Sequence, residues 1–160
     1  MRLVILMLLT IIVGCGGEGA PATKLELEKD APMSNKEAAE AFMQANAVKP
    51  NVIQTESGLQ YTVIESGSGS TPKLADTVSA HYAGRLLDGS EFDSSYSRGE
   101  PLTIPVGGVI KGWTEALLMM KEGDKWTLFV PPELGYGERG VGPIPANSAL
   151  IFDIELVEVK

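Results

Sequence analysis

Between residues 57 and 160 the hydrophobic positions follow the period of strands, except in one segment that has the period of a helix. Apolar and polar residues alternate at 126–130 and again at 150–156, as in strands with one buried face. Within 110–120 the apolar positions are instead spaced three and four apart, which places them on one face of a helix that Gly123 would end. That face is formed by Ile110, Trp113, Leu117 and Met120.

Further strands precede this helix. Asp88-Gly89 predicts a hairpin turn between a strand at 77–87 and one that returns through Phe92. Residues 58–69 contain another strand closed by a Gly/Ser turn, and 102–106 form a short one. Together these elements predict an α+β domain, in which a twisted antiparallel sheet of five or six strands wraps around one short helix.

A separate short helix is predicted before the domain. Ser34 and Glu37 form the capping-box pattern of a helix start, and Pro50 would stop the helix. Small, charged and proline-containing residues at 15–33 predict a flexible tether, so 34–56 is the short helix with its linker and the domain starts at 57. The helix has a thin apolar stripe, which we expect to dock locally: Ala39, Phe42, Met43 and Asn46.

The first residues predict an export signal. Arg2 precedes an apolar run at 3–13, which is too short for a mature membrane span but fits the core of a signal peptide covering residues 1–14. The run ends in a segment similar to the bacterial lipobox, with Cys15 as the acylated residue and a lipid anchor as the consequence. Because Gly16 follows and not Asp, the resemblance favours the outer membrane, facing the periplasm or the cell surface. The alternative is an ordinary secretory signal with a chance cysteine.

Composition narrows the classes of function. A formal net charge of -8 disfavours nucleic acid, which requires a basic face, and no run of basic residues suggests a polybasic membrane patch. The chain has one cysteine and one histidine, His81, so neither an internal disulfide nor a zinc site is expected. Since G-x-S-x-G is also absent from the sequence, serine hydrolase chemistry is disfavoured.

The segment GYGERGVGPIP at 135–145 satisfies the G-x-G-x-x-G spacing of a dinucleotide-binding loop. Such a loop needs a strand before the first glycine and a long helix after the third. Two prolines precede Gly135, and Pro143 and Pro145 follow Gly140, so no helix can start there. We therefore interpret these glycines as loop residues that permit turns with positive φ.

Three segments in order resemble the FKBP-type peptidyl-prolyl cis-trans isomerases: HYAGRLLDGSEFDSS, GGVIKGWTEAL and PPELGYGERGVGPIPANSALIFDIELVEV. The similarity covers about residues 57–160, and the arrangement before it looks like the bacterial Mip-like (macrophage infectivity potentiator) branch. The resemblance implies an isomerase of X-Pro bonds that needs neither cofactor nor metal and acts on proline-containing polypeptides during the folding of exported proteins. Macrolides such as tacrolimus or rapamycin would be ligands. Relatives of this branch usually dimerise through a longer helical region, which the short helix here does not provide.

The resemblance also implies roles for individual residues. Trp113 would be the floor under the proline ring, and Ile144 would lie on a flap over the pocket. Polar contacts would come from Asp93, Tyr136 and the backbone N–H of Ile110. The walls would be Tyr82, Phe92, Leu102, Val109, Ile110 and Phe152. Leu102 stands where many members have an aromatic wall residue, so we expect a shallower wall and weaker macrolide binding with catalysis kept.

Taken singly, these residues also fit plainer roles. Trp113, Phe92 and Phe152 could be core residues, Asp93 could form a turn, and Tyr82 could pack on the sheet. His81 would point away from the pocket, as a structural or solvent-facing residue. The joint pattern favours the pocket. A second function stays open, an envelope chaperone or adhesion module that binds proline-containing segments with incidental catalysis. The hypothesis of a purely structural lipoprotein is disfavoured, because the set of pocket residues is complete.

Overall fold

The computed structural model describes residues 33–160. The helices are α1 (Asn35–Ala47), α2 (Ser95–Arg98) and α3 (Lys111–Leu117). The strands are β1 (Ile53–Gln54), β2 (Gln60–Glu65), β3 (Thr77–Arg85), β4 (Glu91–Ser94), β5 (Leu102–Pro105), β6 (Lys125–Val130) and β7 (Leu150–Val159). The predicted signal peptide, Cys15 and the tether through residue 32 lie outside the described residues.

The strands form one antiparallel sheet in the order β1-β2-β6-β7-β3-β4, and β5 also pairs with β3. The inward positions of β6 and β7 are buried in alternation, as the sequence pattern predicts. They form the core with Trp113, Ala116 and Leu117 on the inner face of α3. The predicted fold class, an antiparallel sheet around a short helix, is confirmed.

Two details differ from the sequence prediction. The sheet has seven strands because the two-residue β1, too short for any periodic pattern, pairs with β2. Helix α3 ends at Leu117, so Gly123 does not cap it. Gly123 instead has φ +93° and forms the turn into β6, where its N–H donates to the carbonyl of Leu156 at 2.8 Å. Met120 is buried although it lies beyond the helix.

Helix α1 has the predicted capping box, in which the Ser34 hydroxyl accepts from the Glu37 N–H and the Glu37 carboxylate accepts from the Ser34 N–H. Its stripe docks on the chain's own sheet, since the Phe42 and Phe129 rings lie 5.9 Å apart. Asn46, 1% exposed, donates to the Gln60 side chain at 2.9 Å. The polar end of the stripe is thus matched by a buried polar partner.

Across residues 33–160, no helix combines the length and the apolar character that a membrane crossing requires.

Candidate active site

A cavity of about 210 Å³ opens between the inner face of the sheet, the N-terminal end of α3 and the loop after β6. Its lining contains every predicted pocket residue except Ile144. The lining residues are Tyr82, Phe92, Asp93, Leu102, Ile104, Gly108, Val109, Ile110, Trp113, Tyr136 and Phe152. Ile104 and Gly108 are additions that the sequence analysis did not name. Ile104 faces inward two residues after Leu102 on β5, so the period-two pattern could have found it.

The floor and walls are aromatic rings in edge-to-face contact. The Trp113 ring, 4% exposed, meets Tyr82 at a centroid distance of 5.1 Å and Phe152 at 5.4 Å, with interplanar angles of 86° and 84°. Phe92 meets Phe152 at 5.6 Å and 86°. Edge-to-face packing places the positive edge of one ring against the negative face of the next. The shape of this part of the cavity therefore depends on rings from β3, β4, β7 and α3.

Gly84 on β3 leaves space for two of these rings. In the sheet it lies opposite Asp93 of β4 and Phe152 of β7. A Cβ atom at this position would lie 2.7 Å from ring carbons of both Phe92 and Phe152. The absence of a side chain therefore lets the two rings approach the strand.

Three polar side chains meet at one edge of the cavity. The Tyr82 hydroxyl donates to one Asp93 carboxylate oxygen, and the Arg98 guanidinium donates to the other at 2.5 Å. Arg98 also donates to the Tyr82 oxygen at 3.0 Å and lies 5.5 Å from the centre of its ring. Both carboxylate oxygens of Asp93 are therefore occupied by donors.

This network sets the ionisation of its members. Partial burial raises the pKa of Asp93, but the hydrogen bonds from Tyr82 and Arg98 and the charge of Arg98 outweigh it, so the pKa lies below the ordinary value. Burial, and then the bond to Asp93, raises the pKa of Tyr82. Asp93 is thus an anion and Tyr82 a neutral phenol at neutral pH.

Arg98 was missed by the sequence analysis. It lies on the single-turn helix α2, five residues after Asp93, and the turn brings the two together. No periodic pattern of the sequence marks this pair, because Asp93 lies on β4 and Arg98 at the end of α2. His81 lies outside the cavity lining: its ring stacks on Tyr96 at 4.8 Å, and its Nδ1 lies 3.0 Å from the Ser95 hydroxyl.

Two donors at the cavity edge, the Tyr136 hydroxyl and the backbone N–H of Ile110, have no hydrogen-bond acceptor within residues 33–160, and neither does the buried indole N–H of Trp113 at the cavity floor. Tyr136 is 38% exposed and stands at the rim. Burial, and then the negative charge of Asp93, raises its pKa, so the hydroxyl keeps its proton. Ile110 is the residue directly before α3. Both donors are available to a bound carbonyl oxygen.

The glycine-rich segment is a loop, as predicted. Gly137, Gly140 and Gly142 have φ values of +60°, +62° and +51°, in the region that favours glycine. Gly135 departs from the prediction, since its φ is -108°. Ile144 pairs with Val141 in an isolated bridge and is 5% exposed within the core cluster. It does not line the cavity, and its contact with a substrate stays a prediction.

Comparison with known proteins agrees with this geometry. Residues 68–157 match the family described as FKBP-type peptidyl-prolyl cis-trans isomerase, and residues 20–63 match the domain amino terminal to it. The chain is 49% identical over 138 residues to the FKBP-type peptidyl-prolyl cis-trans isomerase FkpA of Aeromonas hydrophila, covering 86% of this chain and 51% of that protein. It is 49% identical over 127 residues to the outer membrane protein MIP of Legionella longbeachae, covering 79% and 54%.

Among solved structures, FkpA from Escherichia coli superimposes with a TM-score of 0.77 at 47% identity, covering 86% of this chain and 64% of that one. The chain spans about half the length of the two curated relatives. The family match extends over more than half of the 160 residues and includes the lining of the cavity. The chain belongs to the FKBP-type peptidyl-prolyl cis-trans isomerases.

Proposed function

We propose that this protein catalyses the cis-trans isomerisation of X-Pro bonds in polypeptides. The observation that carries the proposal is the aromatic cavity with two unoccupied hydrogen-bond donors, Tyr136 and the Ile110 N–H, at its edge. Its volume of about 210 Å³ suits one proline ring and the adjoining amide. The family membership of the chain supports the same activity.

The chemistry of X-Pro rotation suits such a site. The barrier is about 18–20 kcal/mol because rotation breaks the resonance of the amide. In the twisted transition state the carbonyl oxygen carries less negative charge than in the planar amide, so transfer out of water favours the transition state over the ground state. An apolar cavity therefore lowers the barrier without a nucleophile.

In this proposal the cavity residues have separate roles in binding the proline ring, excluding water and orienting the substrate. The indole face of Trp113 carries the pyrrolidine ring, and the surrounding aromatic edges exclude water. The Ile110 N–H and the Tyr136 hydroxyl hold substrate carbonyl oxygens on either side of the rotating bond. Asp93, whose pKa is lowered, is a weak base; in this proposal it fixes the Tyr82 wall and keeps a negative charge at the cavity edge, and its direct polar contact with the substrate stays a prediction.

The test is the cis-to-trans relaxation of a Leu-Pro peptide with the purified protein. We expect acceleration that tacrolimus inhibits, and a loss of about two- to tenfold in kcat/KM for Tyr136→Phe, the value of one hydrogen bond. Tyr96→Phe is the matched control, because Tyr96 lies outside the cavity and is 52% exposed. A folded protein that binds proline-containing segments without acceleration would contradict catalysis and favour the chaperone or adhesion function.

We also propose that the protein is a lipoprotein of the bacterial cell envelope, acylated at Cys15 and assisting proline-limited folding of exported proteins. The lipobox-like segment and the outer membrane relative support this. Cys15→Ser is expected to move the protein from the membrane fraction to the soluble fraction. If the variant stays with the membrane, lipidation is not the anchor.

Macrolide binding is proposed to be weaker than with an aromatic wall, since Leu102 forms that part of the cavity. Leu102→Phe is expected to raise the affinity for tacrolimus, measured by titration of the tryptophan fluorescence. Equal affinities in wild type and variant would contradict the role of this wall.

A further inference from the structure

The flap, residues 137–147, is closed at its base by one backbone hydrogen bond. The N–H of Asn147 donates to the carbonyl of Gly137 at 2.8 Å. Asn147 itself has φ +56°, a left-handed conformation that asparagine tolerates better than most residues. Gly137 directly follows Tyr136, the cavity-lining residue with the unoccupied hydroxyl. The hydrogen bond at the base of the flap therefore fixes the position of the backbone beside Tyr136, a predicted substrate contact.

The same peptide group is held from outside by α1. The Asn35 side-chain amide donates to the carbonyl of Ala146 at 3.1 Å. The carbonyl of Ala146 and the N–H of Asn147 belong to one planar peptide unit. Asn35 thus fixes the orientation of the unit whose opposite end closes the flap on Gly137.

Helix α1 is held on the sheet by contacts of its own. It is seated on the sheet by the Phe42–Phe129 ring pair and by the buried hydrogen bond from Asn46 to Gln60. Neither contact involves the flap. The position of Asn35 is therefore determined independently of the segment that it holds.

Packing around the contact is incomplete. A cavity of about 200 Å³ lies between the first turn of α1, the turn after β3 and the returning end of the flap. Asn35, Pro145 and Ser148 are among the residues that line it. Within residues 33–160, Asn35 makes the one side-chain hydrogen bond from α1 to the flap. This hydrogen bond is therefore a link between the helix and the flap that a single substitution can remove.

We infer that Asn35 is a positioning residue for the active site, which holds the Ala146–Asn147 peptide and through it the flap base beside Tyr136. Its effect on catalysis rests on the proposed isomerase function; its effect on the flap does not. The short helix α1 is thereby part of the machinery that shapes the substrate site.

Asn35→Asp tests the inference in the full-length protein. An aspartate has nearly the same shape and is favourable in the first turn of a helix, but it cannot donate to the Ala146 carbonyl and its charge repels that oxygen. Gln44→Glu is the matched control, an amide-to-acid change at an exposed position on the same helix. Asn35→Gln, which keeps the donor, is the rescue variant.

The first readout is amide hydrogen exchange followed by NMR. In Asn35→Asp we expect the Asn147 amide to exchange about three- to tenfold faster, the value of one hydrogen bond. The amide of Ala38, which donates to the Ser34 carbonyl within α1, should keep its protection. Equal loss of protection at both amides, or none at Asn147, would overturn the inference.

The second readout is peptide isomerisation. We expect Asn35→Asp to raise KM about two- to fivefold with kcat little changed, because the flap base positions a binding contact and the chemical step is untouched. Gln44→Glu should match the wild type, and Asn35→Gln should recover at least part of the loss. Faster exchange at Asn147 with unchanged KM would overturn the positioning role. A wild type without isomerase activity would instead refute the proposed function, and the exchange result would still decide whether Asn35 holds the flap.

Discussion

The substitution Gly84→Ala should distort the candidate active site by displacing the two phenylalanine rings of its wall. The added Cβ would lie 2.7 Å from ring carbons of Phe92 and Phe152, whereas ordinary contacts begin at 3.4 Å. The rings or the strand must therefore retreat by about 0.7 Å, and overpacking of this kind costs about 1–3 kcal/mol of unfolding free energy. Part of that cost is the loss of the edge-to-face pair between the rings.

We expect two measurable results for Gly84→Ala. The free energy of unfolding, from urea denaturation followed by tryptophan fluorescence, should fall by about 1–3 kcal/mol. The kcat/KM for a Leu-Pro peptide should fall at least tenfold, because a displacement of about 0.7 Å at two walls misplaces the bound proline. The activity loss should persist under conditions where the variant is fully folded.

Gly107→Ala is the matched control. A Cβ at Gly107 would meet nothing nearer than 3.5 Å, and the residue lies directly before Gly108 at the cavity. This variant should keep both stability and activity. Wild-type stability and turnover in Gly84→Ala would refute the argument that the missing side chain makes room for the rings.

Other consequences follow from the polar networks. Because the folded pKa of Asp93 lies below its ordinary value of 3.8, its stabilising effect is present above about pH 4 and disappears as the pH falls through the folded pKa. The Tm difference between wild type and Asp93→Asn should therefore be largest at pH 7 and should shrink in acid. A Tm difference independent of pH would contradict this stabilising role of the Asp93 carboxylate. Arg98→Gln should raise the pKa of Asp93, measured by carboxyl NMR, and an unchanged value would remove Arg98 from the network. Asn46→Ala should lower the unfolding free energy by about 1–3 kcal/mol, since the buried Gln60 oxygen loses its donor; an unchanged urea midpoint would contradict this.

The sequence predicts the parts of this fold that depend on local rules. The alternation in β6 and β7, the capping box at Ser34 and the turn at Gly89 are each set by residues within a few positions of one another. The pocket aromatics carry an ambiguous pattern, because Trp113 is at once a core residue of α3 and the cavity floor. The family motifs resolved that ambiguity where spacing did not.

What the sequence did not predict depends on tertiary pairing. Arg98 matters because α2 turns it back onto Asp93 and Tyr82, a geometry that no periodicity encodes. Asn35 is an ordinary polar residue in a helical first turn until the flap carbonyl lies beside it. For Asn46 the sequence predicted the position on the docking stripe of α1, but it did not predict the hydrogen-bond partner, Gln60.

The sheet also ends in short strands on both sides. Strand β1 has two residues, β4 has four, and β5, which shares the β4 side of β3, ends in a proline. Exposed strand edges are templates to which extended polypeptides add by backbone pairing. A protein that repeatedly meets unfolded chains would be captured, or would seed their aggregation, if it offered a long flat edge. Residues 62–65 of β2, which extend past β1, add only four residues of unpaired edge, so under the proposed function the sheet would release each polypeptide after the bond has turned.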